Sequence, residues 1–140
     1  MCGAIRYEAE GEPKLVVHCH CSSCRRHTGA PVATLVIFVE EQVKFTKGKR
    51  KFYESSLGVR RAFCGDCGTS LTWEAPSNRF QDTNIIDLHI STFDRPEDFV
   101  PTQHDFYEER IPWFDVVDRL PRFVGDRELP ICHGPGVRAG

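Results

Sequence analysis

The chain has 140 residues, enough for one domain with a modest core, and its 40% hydrophobic and 27% charged residues match a soluble globular protein. A net charge of −2 and a pI near 6.3 give no bulk electrostatic case for nucleic acid. The longest apolar run, residues 32–39, is too short to span a bilayer, and no basic segment followed by an apolar stretch opens the chain. A protein that is not exported keeps its thiols reduced, so the seven cysteines read as thiols or metal ligands in a cytoplasmic protein.

In chain order, Ile5, Tyr7 and Ala9 alternate with Arg6, Glu8 and Glu10, which predicts a half-buried first strand over residues 2–10. Gly11-Glu12-Pro13 breaks it, and Leu15-Val16-Val17 begins a second strand that delivers the chain to Cys19. Arg25-Arg26-His27-Thr28-Gly29 reads as one helical turn closed by Gly29. After Pro31, residues 32–39 are apolar on both faces, the pattern of a central strand. Residues 42–46 and 51–54 read as a hairpin around Lys47-Gly48-Lys49, whose lysines are taken as a solvated surface. Ser55 to Gly58 form a turn, residues 59–64 and 69–74 two strands, residues 76–82 a loop and residues 84–90 a further strand.

From Arg95 onward, six prolines between positions 96 and 135 favour irregular, draped structure over a long helix. Trp113-Phe114 and Phe123 are expected to cover one open side of the sheet, and Cys132 to be a free thiol in a tail. The expected organisation is one zinc-binding domain over residues 1–125 with a tail over 126–140.

The chemistry concentrates in His18-Cys19-His20-Cys21-Ser22-Ser23-Cys24-Arg25-Arg26-His27. Alternate strand residues point to opposite faces, so Cys19, Cys21 and Cys24 converge only if the chain turns sharply through Ser22-Ser23. Convergent sulfurs make a soft-ligand pocket, and zinc is its usual occupant. Three protein ligands, rather than four, leave a coordination position open, as in a working zinc. A second cluster, Cys64-Gly65-Asp66-Cys67-Gly68, has the knuckle form in which glycines let two sulfurs fold onto one ion. A redox role for Cys64 and Cys67 is disfavoured, because no thioredoxin-like βαβ pattern surrounds them. His18, His20 and His27 are expected in core or capping roles more than as ligands.

Spacing leaves two pairings open. In one, Cys21, Cys24, Cys64 and Cys67 hold a single structural zinc. In the other, Cys19, Cys21 and Cys24 hold one zinc, while Cys2, Cys64 and Cys67 share another.

Three segments then show a resemblance: Cys-Gly-Ala-Ile-Arg-Tyr-Glu at 2–8, His-Cys-His-Cys-Ser-Ser-Cys-Arg-Arg-His-Thr-Gly at 18–29, and Phe-Cys-Gly-Asp-Cys-Gly at 63–68. Together they resemble the glutathione-dependent formaldehyde-activating (GFA) family, also called the centromere protein V/GFA domain. Leu120-Pro121-Arg122-Phe123 is similar to the family's closing segment. The resemblance implies a mainly β fold, a tent-like arrangement of small antiparallel sheets organised around two zinc sites, with a proline-rich C-terminal segment. It implies the second pairing: Cys19, Cys21 and Cys24 as the catalytic zinc triad, and Cys2, Cys64 and Cys67 as structural-zinc ligands. The family pattern C-x-C-G would place a further cysteine just before Met1, so the expectation is that the natural chain begins upstream.

The implied activity is that of a carbon–sulfur lyase that condenses formaldehyde with glutathione to S-hydroxymethylglutathione. The partners are a small-molecule thiol and an aldehyde, with no nucleic acid and no membrane. Arg25 and Arg26 are the candidates for pairing with glutathione's carboxylates. Two alternatives stand beside this reading: a zinc-stabilised module that binds glutathione or a partner without catalysis, and an enzyme for another thiol and aldehyde.

Overall fold

The computed structural model describes residues 1–76 and 78–125, so Cys132 and the tail at 126–140 lie outside the described residues. The fold is mainly β, with ten short strands and one seven-residue helix among the described residues. The chain divides into two compact units: Met1–Leu15 with Leu35–Phe99, and Val16–Thr34 with the chain from Val100.

In the first unit, β1 (Arg6–Ala9) pairs antiparallel with β4 (Val43–Lys47), Tyr7 opposite Phe45. The hairpin expected between residues 42–46 and 51–54 is therefore not formed. Alternation places a strand's faces but does not name its partner. Here Tyr7 packs against Phe45 at 5.5 Å between ring centroids, which favours β1 as the partner of β4. Gly48 then carries the chain past Ala4 at φ +74°, where a Cβ would lie 2.2 Å from the Ala4 carbonyl oxygen.

The main sheet of this unit runs β3 (Ala33–Val39), β9 (Thr83–His89), β7 (Ser70–Glu74), β6 (Val59–Phe63), β5 (Lys51–Ser56). All its pairings are antiparallel, and β5 joins β6 through Leu57-Gly58; Ser55 and Ser56, expected in that turn, instead continue β5, with Ser56 paired to Val59. Leu35, Val36, Ile37 and Phe38 are buried in succession, as the doubly apolar run requires, and pack with Ile85, Ile86 and Leu88 in the core. The expected loop after β7 contains a two-residue strand, β8 (Arg79–Phe80), paired with the start of β9. Phe93 and Phe99 join Phe38 in an aromatic cluster with centroid separations of 4.5–6.3 Å.

In the second unit, β2 (Leu15–Cys19) runs parallel to β10 (Gln103–Asp105), with His104 beside His18 and Asp105 beside Cys19. Helix α1 (Ser22–Thr28) follows β2 directly and ends at Gly29, φ +67°, whose N–H donates to the Arg25 carbonyl. β10 departs from the continuous irregular structure that the prolines predict. It exists because its three polar residues are buried with hydrogen-bond partners. Trp113 is 76% exposed and does not cover a sheet face. Its near-perpendicular contact with Phe114 is local, within a stretch of irregular backbone.

Candidate metal and thiol site

Among the described residues, two groups of three cysteines converge: Cys19, Cys21 and Cys24 in the second unit, and Cys2, Cys64 and Cys67 in the first. In each group all sulfurs lie within 4.8 Å of one another. The cysteines group as in the second of the two pairings open from spacing.

The sharp turn that the first group needs is present. Cys21 caps α1, its sulfur accepting the Cys24 N–H at 3.3 Å, while the Arg25 N–H donates to the Cys21 carbonyl at 3.1 Å. Thr28 donates its hydroxyl to the Cys24 carbonyl at 3.0 Å and tightens the same turn. Cys19 and Cys24 are each 5% exposed, whereas Cys21 is half-buried and forms the approach. In the second group, the Cys64 N–H donates to Thr69 and the Gly68 N–H to Cys64, both at 2.9 Å, closing the knuckle. The Cys2 and Cys64 sulfurs are 3.6 Å apart.

These groups fit a zinc ion. Zn–S bonds of about 2.3 Å in a tetrahedron place sulfurs about 3.8 Å apart. The charges agree with the distances. Cys21 and Cys24, with burial, push the Cys19 thiol well up from its ordinary value. In the other group, hydrogen bonds from the Thr69 hydroxyl and N–H pull Cys67 down to about 6. The Ala4 backbone works to lower Cys2, yet Cys67 and Cys64 outweigh it and Cys2 is raised. Three clustered thiols cannot all ionise unless a cation balances them, and a divalent ion supplies that balance.

The loop bearing Cys19 and Cys21 rests on a buried polar chain that sequence reading missed. His104 and His20 are both fully buried, and His20 Nε2 lies 2.8 Å from His104 Nδ1. His104 Nε2 lies 2.9 Å from Asp118 Oδ2, and Asp118 Oδ1 accepts from Arg122 at 2.7 Å. Burial acts to raise Asp118, but His104 and the Leu120 N–H hold it below its usual value as a carboxylate. An ionised Asp118 accepts the hydrogen bond of His104 Nε2–H, so Nδ1 of His104 is bare and accepts from His20 Nε2–H. Burial, then His104, brings His20 down to about 4, so the chain is neutral at the histidines. His18 is held separately, Nδ1 to the Thr34 hydroxyl at 2.9 Å. Only the expectation of core or capping roles for His18, His20 and His27 hinted at this; residues 104 and 118 lie too far along the chain for any local pattern to reveal.

A family model described as glutathione-dependent formaldehyde-activating enzyme (GFA) matches residues 1–109. The chain belongs to the GFA family. Among solved structures it is similar to a Rhodobacter sphaeroides protein, at 22% identity and a TM-score of 0.55, over 71% of this chain and 93% of that one. That likeness concerns the fold alone. No curated relative matches the chain. No helix among the described residues of this GFA protein is long and apolar enough to cross a membrane.

The two arginines of the GFA motif do different things. Arg25 donates from Nε to the His20 carbonyl at 2.9 Å and from Nη2 to the Glu109 carbonyl at 3.0 Å. Glu109 also accepts the Ser22 N–H at 2.9 Å, so Arg25 and Glu109 together brace the cysteine turn. Arg26 is exposed on the next position of the helix.

Proposed function

We propose that this GFA protein joins a thiol to a small aldehyde, glutathione and formaldehyde by family membership, at the Cys19/Cys21/Cys24 group. The observation that carries the reading is the convergence of those three sulfurs with only Cys21 opening toward solvent. In the reaction the thiol sulfur bonds to the aldehyde carbon, the carbonyl electron pair moves to oxygen, and the thiol proton ends on that oxygen. No oxidant or reductant is needed. Zinc held by Cys19, Cys21 and Cys24 would take the incoming thiol as a further ligand and lower its pKa.

The chain's own contribution is positional. Cys21 and Cys24 are fixed by the helix cap, and the peptide between Cys19 and Cys21 is fixed through His20. Arg26 is free to meet a carboxylate of the thiol substrate, while Arg25 acts on the loop from within. Cys2, Cys64 and Cys67 take the structural role, joining the chain's start to the knuckle. Among the described residues the six cysteines are outside disulfides, which suits a reducing compartment such as the cytoplasm.

One observation favours a binding module instead: Cys19 and Cys24 are nearly sealed, which restricts the approach of an aldehyde to the metal's surroundings. Exchange NMR of formaldehyde–glutathione equilibration separates the two. The zinc-loaded protein should accelerate exchange, and Cys21→Ser should abolish that acceleration. No acceleration with both zincs bound overturns the catalytic reading in favour of the module. Metal analysis checks the site assignment: two zincs per chain, one of them lost in a still-folded Cys19→Ser. A single zinc retained in Cys19→Ser defeats it.

A further inference from the structure

The free edge of the first unit's sheet carries a pattern that is complementary to itself. β5 ends the strand path and pairs with β6 on one side, and among the described residues no strand pairs with its other side. Sheet edges are normally blunted by a central lysine, a proline or a bulge, because their open N–H and C=O groups recruit other strands. In β5 the register is regular from Lys51 to Glu54, and the irregularity falls only after that. Its centre is Phe52-Tyr53, 41% and 66% exposed, with Leu57, 99% exposed, at the following turn.

Two copies of one strand, antiparallel about a two-fold axis, must place one residue opposite itself. With Phe52 on the axis, Phe52 meets Phe52, Lys51 meets Tyr53 of the second copy, and Arg50 meets its Glu54. Ring meets ring and ammonium stem meets ring, and the Arg50 guanidinium, which already pairs with Glu74, faces a carboxylate of opposite sign in Glu54. With Lys51 on the axis, like charges face each other. With Tyr53 on the axis, Tyr53 meets Tyr53, but Phe52 faces Glu54 and Lys51 faces Ser55, so an apolar ring is set against a carboxylate and the opposite-charge pair is lost. The Phe52 ring is also already oriented, with the Arg60 guanidinium 4.8 Å and the Arg50 guanidinium 5.0 Å from its centroid.

We propose that the protein self-associates as a two-fold dimer through β5, with Phe52 on the axis. Five paired residues per copy make a small interface, below about 1,200 Å² in total, and affinity on the order of micromolar.

The test uses the zinc-loaded full chain. Sedimentation velocity between about 1 and 300 µM should show a monomer–dimer equilibrium, weakened more than about tenfold by Phe52→Glu, which sets two carboxylates face to face. The register is tested by oxidation against the parent's background. Phe52→Cys should give an intermolecular disulfide, since facing Cβ atoms about 4.5–5.5 Å apart need only a small closing movement to reach the roughly 3.5–4.5 Å of a disulfide. Tyr53→Cys, though the more exposed position, should give none. A monomer at every concentration, dimerisation unchanged by Phe52→Glu, or equal cross-linking at both positions overturns the proposal. So does a monomer whose β5 amides resist hydrogen exchange, because another segment of the chain then covers the edge.

Discussion

Replacing His104 by leucine should test how much the cysteine loop depends on the buried histidine chain. Leucine is close to histidine in volume, so no large cavity opens, and the β10 backbone bonds to Pro121 and Phe123 remain. What is lost is polar. His20 Nε2–H loses its acceptor in a fully buried position, where Nδ1 already lacks a partner. An unpaired buried donor costs about 1–3 kcal/mol. Asp118 loses one bond but keeps Arg122 and the Leu120 N–H, so about 1 kcal/mol more is expected there. The total is about 2–4 kcal/mol, a fall in melting temperature of roughly 10 °C at this chain length. Zinc should also leave faster from the Cys19 group under a chelator, because His20 lies between two of its ligands. Asparagine is the informative control: its Oδ1 stands near the place of Nδ1 and can still accept from His20, so His104→Asn should recover about half of the loss. Denaturant unfolding of the zinc-loaded proteins reads both variants. A loss below about 1 kcal/mol in His104→Leu, or no advantage for asparagine, refutes the acceptor role assigned to Nδ1.

Tyr7 donates to or accepts from the Thr92 hydroxyl at 2.6 Å, and burial pushes its phenol up to about 12. The folded state therefore resists ionisation: its contribution is intact below pH 10 and is lost as pH rises from about 10 to 12, amounting to about 2–3 kcal/mol. Tyr7→Phe should lack this alkaline decline, and equal declines in both proteins count against burial as the cause. Gly48→Ala should cost about 2 kcal/mol or more, from a backbone clash added to positive φ. Gly29→Ala, with positive φ but open space, should cost only about 1 kcal/mol, both read by thermal unfolding. Arg26→Ala should raise the KM for glutathione several-fold with stability unchanged, whereas Arg25→Ala should lower stability, since it releases the His20 and Glu109 carbonyls. Glutathione should slow chelator removal of the more labile zinc, and equal rates with and without it argue against thiol ligation.

Local chemistry was legible wherever the residues that act together lie close in sequence. The turn through Ser22-Ser23 follows from the need to converge Cys19, Cys21 and Cys24, and the glycine stop at Gly29 is where the helix ends. The doubly apolar run became the buried β3. Partner choice was not legible: β4 has the alternation of a hairpin arm, and only the fit of Tyr7 to Phe45 assigns it to β1. Polar burial was hidden for a different reason. Gln103, His104 and Asp105 form a strand because each is satisfied by a partner, and a hydrophobic pattern cannot register a residue buried by hydrogen bonding. His20 and His104 are 84 positions apart, beyond any spacing rule.

The two cysteine groups differ most in how much chain each one closes. Cys19 and Cys24 are five residues apart by subtraction of their numbers, and the helix cap orders that turn by itself. Cys2 and Cys64 are 62 residues apart, and nothing local holds them together. Loop-closure entropy grows as the logarithm of length, so tying the longer loop constrains the unfolded chain by about 2 kcal/mol more than tying the shorter. An ion bound at Cys2, Cys64 and Cys67 therefore acts as a cross-link on the fold, and its loss is felt throughout the first unit. An ion bound at Cys19, Cys21 and Cys24 closes a turn that already exists, so little folding energy depends on it. That difference lets the Cys19, Cys21 and Cys24 group lose or exchange a ligand without unfolding the chain, which is what the proposed uptake and release of a thiol requires.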